Sequence, residues 1–220
     1  MRLRSGKLLA FEVGQVVFIA VAGSLLHFAF ELADYWKPLA WFAAVNESAW
    51  EHTKMYFWPG LAYALAQYTY TRGIANNYWF GKAMALLVTP VSIFLMYFGY
   101  LSWSMADGGK PTLAIMLTIM LLGISAGQAV SYYILTSPPM ASGIGRYASA
   151  TYALLLVLFS TLTYFPPKLP LFENFYCYQY TGDYGILPDY EPYRVFTRDT
   201  SAGGGVNYCA TLSQQAVDAR

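Results

Sequence analysis

The chain has 220 residues, 57% of them hydrophobic and 11% charged, with a formal net charge of +1. No Lys/Arg cluster follows the first seven residues, which argues against nucleic acid and other polyanions as partners. The apolar residues gather into runs of about 18 or more, longer than a soluble core helix needs and close to the roughly 20 residues that cross a bilayer. The expected fold is therefore an all-α integral membrane bundle of about five transmembrane helices, followed by a short, irregular, Tyr-rich tail outside the membrane.

MRLRSGK and the apolar run behind it have the outline of a signal peptide. The run is too long for one, lacks an A-x-A-like site and ends in HFAFELADYW, so it reads as a retained first span at about 11–30. The second span, at about 48–70, has MYFWPGLAYALAQYTY as its apolar body. GKAMALLVTPVSIFLMYFGYLSW supplies the third at 81–103, and the fourth and fifth lie at 112–135 and 146–165. No alternating pattern of about ten residues suggests barrel strands, and unpaired backbone cannot face lipid, so all five are helices. YWKP (35–38), TRGIANN (71–77), ADGGKP (106–111) and TSPPMASGIG (136–145) carry the Pro and Gly breakers that make sequential helices antiparallel neighbours. Pro59 and Pro90 fall inside spans and are expected to kink them.

Orientation follows from Lys and Arg in the short loops. Arg2, Arg4, Lys7, Arg72, Lys82 and Arg146 lie on one side and Lys37, Lys110 and Lys168 on the other, six against three. The expectation is a multi-pass cell-membrane protein with a cytoplasmic N-terminus and an extracytoplasmic C-terminus. The bundle then occupies 1–165 and the tail 166–220. Cys177 and Cys209 both fall in that tail, as a disulfide candidate outside the cytoplasm or as two free thiols. The tail is also the surface on which a membrane-protein partner would dock.

One stretch departs from the apolar pattern. In AAVNESAWEHTKMYFWPG (43–60), Ser48 and Glu51 have the spacing of a capping box at the start of span two, with Asn46 as a competing cap and Glu47 favourable to the helix dipole. Capping leaves charges over. On a continuous helix Glu47, Glu51 and Lys54 would share one face, with His52 on the next. His27 and Glu31 are four residues apart at the matching depth of span one, so His27, Glu31, Glu47, Glu51 and His52 can converge on one outward-facing pocket. An ionisable group at the hydrocarbon edge is expensive unless paired, so these groups should face the bundle.

Three chemistries suit that pocket. His27, Glu31, His52 and Glu47 are ligand types for a divalent metal such as Zn, Mn or Fe, and Glu47, Glu51 and His52 are candidates for acid–base catalysis in a hydrolase-like enzyme. An ion-pair network would instead join Lys54 to Glu47 or Glu51 and His27 to Glu31. Proton-linked solute binding is the third, opposed by the edge position of the charges and the apolar middles of spans three and five. An accessory or structural membrane subunit of unassigned activity ranks ahead of the enzyme. Elsewhere, Gly123-x-x-x-Gly127 permits close helix packing in span four.

GSLLHFAFE (23–31), VNESAWEH (45–52), SYYIL (131–135), PPKLPLF (166–172) and YGI (184–186) resemble the successive landmarks of an uncharacterised family of small multi-spanning prokaryotic membrane proteins. The resemblance runs over roughly 10–187 and is most specific in N-E-S-x-W-E-H. It implies a fold and no mechanism. FENFYCYQYTGD (172–183) is longer than the family's usual link, and the stretch after about 188 lies outside the resemblance.

Overall fold

The computed structural model describes residues 2–106 and 108–190. Five α-helices dominate: α1 (Arg2–Leu32), α2 (Ala49–Thr71), α3 (Tyr78–Met105), α4 (Leu113–Thr136) and α5 (Ile144–Thr161). Four of them, α1, α3, α4 and α5, are long and apolar enough to cross a bilayer. This is the composition of a membrane protein, and lipid is its solvent. α2 is outside that set because Glu51, His52, Lys54, Gln67 and several tyrosines dilute its apolar run. Its first half is buried among the other elements, so its surface there meets protein and need not suit lipid.

α1 begins at Arg2 and not near residue 11, since no proline interrupts its first turns. α5 stops at Thr161, and its chain passes through turns before the strands. The tail is less irregular than its composition suggests. β1 (Glu173–Tyr176) and β2 (Gln179–Tyr184) pair antiparallel, with Phe175 opposite Tyr180 and Tyr176 opposite Gln179. The turn between them is Cys177-Tyr178, both at positive φ (52° and 66°). That left-handed geometry is the one Asn-Gly usually supplies, so the turn signal is absent from the sequence. The question of a disulfide between Cys177 and Cys209 or two free thiols reaches outside the described residues, as does the tail after Tyr190.

α3 is the hub, packed on α2, α4 and α5, while α1 packs on α2 and α4. The α3–α4 seam is close because Gly81, Gly123 and Gly127 lack side chains there. A Cβ on Gly127 would meet Thr89 and sit 2.7 Å from the Ala85 carbonyl oxygen. Ile19, Met55, Tyr56, Ile93 and Ile124 fill the space between α1, α2, α3 and α4. Trp50 and Phe57 each stack on Phe159 at 4.6 Å, joining α2 to α5, and Phe172 closes that cluster from the segment leading into β1.

A buried ionic network crosses the first three helices. Lys82 of α3, with no exposed surface, donates to both oxygens of Glu12 on α1 (2.6 and 2.8 Å) and to Gln15 Oε1 (2.7 Å). Gln67 of α2 donates to Glu12 Oε1 (2.8 Å), and Gln15 Nε2 donates to the Gly60 carbonyl (2.9 Å). Lys82 is thus no loop charge, and the loop count becomes five against three.

Candidate metal centre

The site starts from the way α2 begins. Ser48 is the N-cap, extended at φ −73° and ψ 152°, and its Oγ accepts from the Glu51 amide at 3.3 Å. Asn46 braces the cap, accepting from the Ser48 amide and donating to the Gly185 carbonyl, both at 2.8 Å. The Glu51 carboxylate does not return to the Ser48 amide as a full capping box would. Its Oε2 accepts from the Val45 amide (3.1 Å) and from Lys54 Nζ (2.5 Å), and its Oε1 accepts from the Thr163 hydroxyl (2.7 Å). Lys54 completes its donors on the Ala40 carbonyl (2.7 Å) and Thr163 Oγ1 (2.8 Å). Glu51 and Lys54 therefore form a closed, buried knot tying α2 to the chain before it and to the turn after α5.

Glu47 precedes the cap, where the backbone is extended, so it leaves the helical face that Glu51 occupies. It turns toward α1. Glu47 Oε1 lies 3.7 Å from His27 Nε2, and Glu47 Oε2 lies 3.5 Å from His52 Nε2. The two imidazole centroids are 5.1 Å apart. His52 Nδ1 is 2.8 Å from the Ser48 carbonyl oxygen. A carbonyl only accepts, so Nδ1 carries a proton, and Nε2 is the ring nitrogen turned toward Glu47. His27, Glu47 and His52 are each partly exposed, hence reachable from solvent.

These separations exceed the 2.7–2.9 Å of a charge-assisted hydrogen bond. They approach the edge of a tetrahedron built on metal bonds of about 2.0–2.1 Å, roughly 3.3 Å. One donor atom from each of the three residues falls within 4.8 Å of the others. Drawing these donors in from within 4.8 Å of one another to roughly 3.3 Å would let one ion take all three, while each histidine faces a separate carboxylate oxygen.

The site is braced from the tail. The Glu47 amide donates to Asn174 Oδ1 at 2.9 Å, and Asn174, fully buried on β1, donates in turn to Thr181 Oγ1 at 3.2 Å. Gly185, just after β2, sits at φ +63° with its Cβ position only 2.5 Å from the Thr163 carbonyl oxygen, so a glycine is required where Asn46 makes its bond.

A family profile matches residues 5–186, from the first turns of α1 to just past β2. The chain belongs to the DUF6512 family, a family of unknown function. No curated protein and no solved structure matches it. The DUF6512 match includes His27, Glu47, His52, Asn174 and both buried ionic networks, and it begins somewhat earlier than the landmarks of the sequence suggest.

Of the residues singled out in the sequence, the structure brings His27, Glu47 and His52 together. Glu31, one turn beyond His27, lines the adjoining pocket of about 80 Å³ but is not among the three convergent donors. Glu51 is held away by Lys54 and Thr163. Asn46 and Ser48 shape the approach, and Gly123 and Gly127 lie in the α3–α4 seam, remote from it. Asn174 escaped the sequence reading because it lies in the tail with no local motif. Glu12, Gln15 and Gln67 escaped it too, although polar residues within apolar helices were a readable signal.

Asn174 positions Glu47 through the backbone, so Asn174→Ala is expected to weaken metal affinity by about 10-fold to 100-fold, as outer-shell losses do elsewhere. Titration of the purified variant with Zn²⁺ checks this, and an unchanged affinity would show that the hairpin does not hold Glu47 in place.

Proposed function

We propose that this DUF6512 protein is a membrane-embedded, metal-dependent enzyme of hydrolase type. Its divalent ion, zinc foremost, is held by His27 Nε2, His52 Nε2 and the Glu47 carboxylate, at the end of the bundle that the loop charges assign to the extracytoplasmic side. The observation that carries this reading is the position of one carboxylate between two imidazoles, at distances too long for hydrogen bonds and suited to a shared ion. Three protein ligands with a further position open is the pattern of catalytic zinc sites, and the pocket beside His27 and Glu47 supplies room at that position. Zinc would bring the acidity of its bound water near pH 7.

The chain's own groups divide the remaining work. His52 is fixed in its tautomer by Ser48, Glu47 is fixed by Asn174, and Glu51 with Lys54 secures the helix start and has no oxygen left for substrate. A transport role receives less support. Glu12 lies 15 positions before His27 on α1, roughly 22 Å along the axis. Between Gln15 and His27, α1 presents Ile19 and Gly23 to the bundle, so no run of ionisable side chains on that helix links the two sites.

Elemental analysis of the full chain, purified in detergent without chelator or metal-affinity resin, should find about one equivalent of a divalent transition metal. Removing it with a chelator should lower the melting temperature, because a ligand at 100 times its Kd stabilises by about 2.7 kcal/mol. Substoichiometric Zn, Mn and Fe, with a melting temperature indifferent to chelator, would reject the proposal. A stoichiometric protein partner in such a metal-free preparation would favour the accessory-subunit role.

A further inference from the structure

The outer face of α1 records how deep the candidate metal centre lies in the bilayer. Leu9, Val13, Val17, Val21, Leu25 and Leu32 recur along one side of the helix, and each is exposed. No exposed Asp, Glu, Lys or Arg interrupts α1 between Leu9 and Leu32, and the exposed Ser24 hydroxyl donates to the Ala20 carbonyl at 2.8 Å, as a hydroxyl facing lipid must. Leu9 and Leu32 are 23 positions apart, about 35 Å along the axis, enough to cover a hydrocarbon core of roughly 30 Å. Trp36, Trp41 and Phe42 are exposed just past the end of the stripe, where aromatic side chains meet the headgroups. His27 lies five positions inside Leu32, about 8 Å. The centre it forms with Glu47 and His52 therefore sits at the inner edge of the headgroup region.

The pocket beside that centre opens onto the same stripe. Phe28 falls between Leu25 and Leu32 on the lipid face and is 37% exposed, while the other lining residues are buried or half-buried among the described residues. Its ring packs on the His27 imidazole at 4.7 Å, so the mouth of the pocket adjoins a metal ligand. The folded tail supplies further wall through Asn174, Tyr176, Leu187 and Tyr190. A molecule that enters past Phe28 comes from the bilayer.

We propose that this pocket takes a bilayer lipid from the side, past Phe28, and presents its acyl ester to the metal centre as the bond to be cut. The cleavage rests on the metal-dependent hydrolase reading above. Depth selects the bond: the acyl linkage lies at the border of the hydrocarbon core, and a headgroup phosphate lies farther out, in the polar region. Hydrolysis adds one water across the acyl C–O bond. The hydroxyl goes to the carbonyl carbon, the proton goes to the departing alcohol oxygen, and a fatty acid and a lyso-lipid leave.

The test places the zinc-loaded full chain in nanodiscs of phosphatidylethanolamine and phosphatidylglycerol. A phosphatidylethanolamine with a photoactivatable diazirine beside its acyl ester, mixed into the discs, should label pocket residues such as Glu47 or Tyr176 as well as the outer face at Leu25. Label confined to the outer face would overturn the proposal. The same discs should release free fatty acid, and a chelator should stop the release. Phe28→Glu, which sets a charge at a mouth facing lipid, should lower the release at least about tenfold while Zn²⁺ affinity stays within a few-fold of wild type, and Phe28→Leu should retain it. Stoichiometric zinc without fatty-acid release, or cleavage of water-soluble nitrophenyl acetate alone, would overturn this proposal and leave the metal reading standing. Pocket labelling in a chain that binds no metal would reject the hydrolase and keep the lipid as the pocket's ligand, so the two readings fail separately.

Discussion

Lys82→Met is expected to destabilise the protein by about 3–5 kcal/mol, the usual consequence of leaving one member of a buried ion pair alone. Lys82 has no exposed surface and Glu12 is 2% exposed, so neither can be rescued by water without opening the α1–α3 contact. Once the ammonium is gone, Glu12 keeps the Gln67 Nε2 donor, and Gln15 Oε1 loses its hydrogen bond to Lys82. The two helices joined by this pair are 70 positions apart in the chain, so the loss is one of tertiary structure and not of local helicity. The double variant Glu12→Leu with Lys82→Met should recover much of the stability, because a pair of apolar residues removes the desolvation penalty together with the attraction. Thermal denaturation of the detergent-solubilised protein measures both. A single variant within about 1 kcal/mol of wild type, well under the range for a buried pair, would mean that water reaches this network.

His52→Ala should weaken Zn²⁺ binding by more than about 100-fold, beyond the range of outer-shell substitutions, because it removes a ligand outright. His27→Ala and Glu47→Gln should act similarly, each leaving two of three donors. The discriminating variant is Glu31→Gln. Glu31 lines the pocket without belonging to the convergent set, so its metal affinity should stay within a few-fold of wild type. A loss at Glu31 equal to that at His52 would instead place Glu31 among the ligands and require α1 to turn its last residues toward Glu47. Competition against a chromogenic zinc chelator reads all four variants on one scale.

Membrane character was legible along the chain because hydropathy is a sum over neighbours. Four of the expected spans recur as helices apolar enough for a bilayer, and the N-cap at Ser48 is written in its own local motif. The helical spacing of Glu47, Glu51 and Lys54 misled, since it assumed a helix already begun at Glu47. The extended backbone at Ser48 breaks that phase and sends Glu47 and Glu51 in different directions. Lys82 misled in another way. Near the start of α3 it passed for a loop charge, while its partner, Glu12, stood far away in sequence.

What sequence determined by itself was the inventory: apolar helices, breakers, a capped start to α2, and two histidines at one depth beside an excess of carboxylates. Tertiary structure decided the assignments. Lys54 and Thr163 claim Glu51, Asn174 anchors Glu47, and α1 brings His27 to the freed carboxylate. Composition and capping act between residues a few positions apart, whereas the bond of Thr163 to the Glu51 carboxylate and the hold of Asn174 on the Glu47 amide span more than 100 positions and form only after the bundle and its hairpin have closed.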